Sequence, residues 1–214
     1  MINKILTFIL LLCVSTTSLA GITIVGTRFI IDNEKKSINI KIINDNENDY
    51  LIKSNISDNN FIVSPPLFML PKNSSNIVTI IPTDVINSNQ DSLLDLTITA
   101  IPKSEVNNGN SNISLAVRSH FKVIYRHNKL TENEYSKLKI IRYNNDFYLE
   151  NKSNFVFTIS TSINENYKNE KIKNISPAQK IILDNCSAMD KCNIWVNIYN
   201  DYNDVIKKIN LSYN

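Results

Sequence analysis

The sequence predicts an all-β protein folded as two β-sandwiches, and three observations carry that expectation. Apolar and polar residues alternate at the two-residue period of a pleated strand, in segment after segment. Those segments are rich in Ile, Val and Thr and are spaced by clusters of Asn, Asp and Ser. No window sustains the apolar period of a helix.

Taken in order, the first element is excluded from the fold. "MINKILTFILLLCVSTTSLA" has Lys4, an apolar run over residues 5–14 and small residues ending at Ala20. Residues 1–20 therefore read as a secretory signal peptide cleaved before Gly21. The run is well short of the roughly 20 apolar residues that cross a bilayer, and no other run is longer, so no membrane insertion is expected. Cys13 follows Leu12 rather than a small residue, against a lipoprotein site.

Six strand segments follow: "ITIVGTRFII" (22–31), "SINIKII" (37–43), "YLIKSNI" (50–56), "IVTII" (77–81), "LLDLTITAI" (93–101) and "NISLAVRSHFKVIYRH" (112–127). The last is more than twice the usual strand length of about 5–6 residues. Ile113, Leu115, Val117, Phe121, Val123 and Tyr125 share one face of it, with Arg118, His120, Lys122 and Arg126 on the other. A polar stretch, "HNKLTENEYSK", leads into a second set: "LKIIRY", "FYLE", "NFVFTIST", "KIIL", "NIWVNIY" and "DVIKKINLSY". With 214 residues available, sandwiches over residues 21–128 and 129–214 fit better than one large domain.

Composition excludes several functions. The formal charge of +3 falls to +2 once Lys4 is removed, with no basic block, so no nucleic-acid partner is expected. Only Gly21, Gly26 and Gly109 are glycines, too few for a phosphate-cradling loop, a dinucleotide fold or a nucleophile elbow. His120 and His127 lack any metal-ligating context and read as solvated strand residues. Asp91 and Asp95 read as acids of strand-bounding loops, solvated or ion-paired. No enzymatic activity, cofactor or metal is expected. Cys186 and Cys192 are the cysteines left after cleavage, and export favours a disulfide between them as a local clamp. Triplets such as those at Asn55, Asn73 and Asn112 match the glycan acceptor pattern, but the general excess of Asn accounts for them.

"GTRFII", "FIVSPPLFMLPKNSSNIVTII", "LLDLTITAIP" and "FKVIYR" in the first half, with "NKSNFVFTIS" and "WVNIYNDYND" in the second, stand in an order and spacing that resemble the periplasmic assembly chaperones of the chaperone-usher pilus pathway. The resemblance spans the chain beyond residue 20 and implies two immunoglobulin-like domains set as a boomerang. It implies a periplasmic chaperone that binds, folds and caps pilus subunits and passes them to an outer-membrane usher, without ATP. Its long strand completes a subunit lacking its own last strand. An unfinished sandwich exposes a groove and unpaired edges, and an extended donor supplies main-chain hydrogen bonds while alternate side chains fill pockets.

By position, the resemblance makes Ile113, Leu115 and Val117 the donor side chains; periodicity alone would leave them as inward residues of an ordinary strand. Arg28 and Lys122 match the pair that grips the subunit's C-terminal carboxylate; without the resemblance each would read as paired with an internal acid. Arg126, Asp91 and Asp201 match the ion pairs that hold the two domains. The family has Pro where this chain has His127, so a stiff linker residue is missing. About eleven residues, 102–112, precede the donor segment, which resembles the short-loop subclass that assembles rod-like pili. "SPPLF" resembles the family's double proline, with Pro65 or Pro66 a candidate for a cis bond. A self-capping dimer of the free protein stays open. The alternative is a secreted two-domain immunoglobulin-like adhesion or receptor module that reads its ligand through loops.

Overall fold

A computed structural model of the chain describes residues 21–32, 36–83, 88–103, 114–165, 171–186, 190–200 and 202–213. Its regular secondary structure is almost entirely strand. The first sandwich holds β1 (Ile22–Ile24), β2 (Arg28–Asp32), β3 (Ile38–Asn44), β4 (Tyr50–Ile56), β5 (Phe61–Ser64), β6 (Leu67–Leu70), β7 (Ser74–Pro82), β8 (Ser92–Pro102) and β9 (Val117–Arg126). The second holds β10 (Leu138–Tyr143), β11 (Asp146–Asn151), β12 (Phe157–Ser162), β13 (Lys173–Ile175), β14 (Lys180–Ile182), β15 (Cys192–Tyr199) and β16 (Val205–Tyr213). Two short 3-10 turns, Glu132–Lys137 and Asp184–Cys186, are the helical elements among the described residues. None of these is long and apolar enough to cross a membrane.

In the first sandwich a sheet ordered β1-β3-β7-β5 faces one ordered β2-β9-β8-β4-β6. Alternation explains the packing: Ile40 and Ile42 of β3, Val78 and Ile80 of β7, Leu94, Leu96 and Ile98 of β8, and Val123 and Tyr125 of β9 all point inward and are buried. The second sandwich pairs a sheet β10-β11-β14 with one ordered β13-β12-β15-β16. Phe147, Leu149, Phe157, Ile159, Ile194 and Val196 fill a separate core there.

The segment 22–31 is two strands rather than one. The inward parity changes from Ile22 and Ile24 to Phe29 and Ile31, and at Gly26 between them the backbone takes φ +118°, a conformation that side-chain-bearing residues rarely adopt. The chain thereby crosses between sheets: β1 pairs antiparallel with β3, and β2 pairs parallel with β9 in the opposite sheet. A Cβ at Gly26 would lie 2.7 Å from Cε1 of Phe29, so the crossing also needs the absence of a side chain. Three short strands, β5, β6 and β13, have no counterpart among the segments that alternation picks out. The Ser64-Pro65 bond between β5 and β6 is cis, where the chain again changes sheets.

Two of the many asparagines are structural. Asn44 is buried and its amide donates to the carbonyls of Asn48, Leu70 and Pro71. Asn151 does the same in the second sandwich, donating to the carbonyls of Phe155, Ile175 and Ser176. Each buried amide thereby finds acceptors in main-chain carbonyls of the neighbouring strand ends and loops.

Candidate functional site

β9 is owned only in part by its sheet. Over residues 117–125 it pairs with β8, from Ala100 opposite Val117 to Ser92 opposite Tyr125. On its other edge β2 begins only at Arg28, opposite Lys122. Among the described residues, no strand pairs with that edge over residues 117–121. The cause lies upstream, because the chain that would continue β2 backwards has left for the other sheet as β1. An unpaired edge carries free main-chain donors and acceptors, the requirement for adding a strand.

The side chains at this end are uncovered as well. Val117 sits across from the buried Ala100 on the core-facing side of the sheet, yet is 60% exposed. Leu115, 76% exposed, lies just before the strand begins. The strand is thus shorter than the segment 112–127 that the sequence suggests, ten residues long, and residues 114–116 extend beyond its ladder. Ile113 lies outside the described residues. Neither Leu115 nor Val117 belongs to the core of its own sandwich.

Directly inward from the free edge stands a row of charges. Asp95 of β8 is the register partner of Lys122, and Lys122 is the register partner of Arg28. The three residues therefore cross β8, β9 and β2 on one face of the sheet. Lys122 Nζ donates to Asp95 Oδ1 at 2.5 Å, the side chains being 44% and 53% exposed. Arg28 Nη1 donates to the main-chain carbonyl of Asn200 at 3.3 Å. Asn200 begins the turn between β15 and β16, and its Oδ1 accepts from the backbone N–H groups of Tyr202 and Asp204. Asn203 takes the left-handed conformation there, at φ 66°. One end of the row thus meets the second sandwich.

A second polar cluster lies where the sandwiches join. Asp91 has a fully buried side chain. Its Oδ2 accepts from Arg126 Nη1 at 2.5 Å and from the Val156 N–H at 2.9 Å. Its Oδ1 accepts from the His127 N–H at 3.0 Å and stands 2.7 Å from His127 Nδ1. The guanidinium of Arg126 also donates to the Val156 carbonyl at 2.7 Å, and the Asp91 N–H donates to the Asn154 carbonyl. One carboxylate thus ties the start of β8, the connecting segment and the loop before β12. Full burial is tolerable because both oxygens are supplied with donors, one of them cationic.

The structure places the expected residues as follows. Arg28 with Lys122, and Arg126 with Asp91, are brought together. Asp201 lies outside the described residues. The Cys186–Cys192 disulfide is formed, fastening the turn Asp184–Cys186 to the start of β15. Two expectations are corrected. Asp95 is a mid-strand residue of β8 rather than a loop acid, because the strand begins at Ser92. His127 is not solvated: its side chain is 11% exposed, held by Asp91 and packed at 4.6 Å against the Phe155 ring. The places of Asp95 and Asn200 beside the charge row escape sequence reasoning, since neither strand register nor the return of a distant turn can be read from local pattern.

The chain is similar to several known proteins. Residues 21–131 match the family model described as pili and flagellar-assembly chaperone, PapD N-terminal domain. The chaperone protein FanE of Escherichia coli is 30% identical over 94% of each chain. The chaperone protein LpfB of Salmonella typhimurium is 30% identical over 71% of each. Among solved structures, that of the Salmonella enterica SafA pilin in complex with the SafB chaperone matches with a TM-score of 0.70 over 91% of this chain and 97% of the other, at 18% identity.

Proposed function

We propose that this chain, which belongs to the pilus-assembly chaperone family, binds pilus subunits and shields them by lending the outer end of β9. A subunit lacking a strand presents an apolar groove and unpaired edges. The unpaired edge over residues 117–121 supplies the main-chain hydrogen bonds. Ile113, Leu115 and Val117 fill the groove, each contributing roughly 1.5–3 kcal/mol on burial before the ordering cost of association. Arg28 and Lys122 grip the subunit's C-terminal carboxylate and so fix the register of the added strand. No nucleotide is required, because the driving force is the completion of a sheet.

The observation that carries this reading is the coincidence at one strand of a free edge, two exposed apolar side chains and a cationic pair. Around it stand further parts of the proposal. The Asp91 cluster, with Arg126 and Asp201, holds domains 21–128 and 129–214 at a working angle. Residues 1–20 direct the chain to the periplasm and are removed. Subunits leave by exchange at an outer-membrane usher. The anchor is the most separable part: Lys122→Ala keeps the fold, judged by far-ultraviolet circular dichroism, and abolishes co-purification of a pilus subunit from periplasmic extract. Undiminished capture by that variant contradicts the anchoring role.

A further inference from the structure

We propose that Asp95 is a resident counter-ion of the anchor, a carboxylate that occupies Lys122 until an incoming carboxylate competes for it, and that it thereby sets how tightly the site captures its ligand. The inference rests on the reading of Arg28 and Lys122 as a carboxylate anchor. Asp95, Lys122 and Arg28 lie in a single register row across three strands, with an Asp95 oxygen 2.5 Å from the ammonium. The row holds two cations and one acid. With Asp95 in place an incoming carboxylate meets an ammonium that already has a counter-ion; without Asp95 it would not.

The geometry suits a group that gives way. The main chain of Asp95 is fixed independently of its side chain: its N–H donates to the Ser57 hydroxyl at 2.9 Å and its carbonyl accepts from the Ser57 N–H at 3.0 Å. The carboxylate itself is half exposed, so water replaces Lys122 at little cost when the pair opens. Lys122, with three donor hydrogens, is able to hold Asp95 and an incoming carboxylate together or to exchange one for the other. In both cases two like charges are brought close, and that repulsion opposes capture. Arg28 also donates to the main-chain carbonyl of Asn200, which ties it to the turn after β15. The acid therefore weakens the Lys122 half of the anchor. A site tuned in this way holds its ligand less firmly than its two cations allow, which favours handing it on.

Acetate is the probe, with acetamide as the uncharged control, both titrated at constant ionic strength and followed by the side-chain N–H resonances of Arg28 and Lys122. Asp95→Asn keeps the shape and removes the charge, and Asp95→Ala removes the group; unchanged near-ultraviolet circular dichroism establishes that each is folded. The expected result is acetate affinity raised by about two- to fivefold in both variants, the range that loss of one exposed ion pair allows. Acetamide should discriminate between none of them. Equal acetate affinity in wild type and both variants, with the response lost in Lys122→Ala, overturns the role of Asp95 and leaves the anchor standing. An acetate response unaffected by Lys122→Ala, or absent from every protein, overturns the anchor reading and this inference with it.

Discussion

Gly26 matters more than its size suggests. Its φ of +118° and the 2.7 Å approach of Phe29 to an absent Cβ put any other residue here under strain, at the sheet crossing that frees the edge of β9. Gly26→Ala should cost about 1–3 kcal/mol, the range for a side chain forced into a sparsely populated backbone region. Urea denaturation measures this as a lowered midpoint with an unchanged slope. Asp91 is the second residue on which the fold leans, its two oxygens receiving donors from Arg126, His127 and Val156. His127 takes part there in a way no proline is able to, because its main-chain N–H is one of those donors. The family likeness suggests a linker made less stiff by this substitution; the chain instead has a hydrogen-bonded clamp at the same position.

At the scale of the element, β9 is the part that the sequence reveals best and also misplaces. Its alternation is legible from Leu115 to Tyr125 because the period of two is a local property of the chain. Its length is overestimated for the same reason: periodicity reports which side a residue faces, not whether a partner strand is there to pair with it. The crossing at Gly26, the short strands β5 and β6 flanking Ser64-Pro65-Pro66, and the register that sets Asp95 against Lys122 are all non-local, and they emerge only once the sheets are assembled. Arg28 and Lys122 are legible through their motif neighbours, whereas Asn200 reaches Arg28 from 172 residues away. Because Leu115 is 76% exposed, Leu115→Asp should change unfolding free energy by no more than about 0.5 kcal/mol. The same variant should lose subunit capture. Loss of cooperative unfolding in that variant would instead place the residue in the core of its own sandwich.

For the whole molecule, two separately cored sandwiches are joined at Asp91, and the charge row on the first abuts a turn of the second. The arrangement gives a donated strand a fixed starting point, since the free edge of β9 ends where Arg28 and Lys122 begin. On the proposed function, capture of a subunit reduces to one physical event, the pairing of residues 117–121 with a strand of another protein. Amide hydrogen exchange on the purified chaperone and on its complex with a captured subunit reads that event directly. Those amides of residues 117–121 that point away from β8 should exchange freely in the chaperone alone and become protected in the complex, while amides facing β8 stay protected in both. Equal exchange at the outward amides with and without the subunit would contradict strand donation.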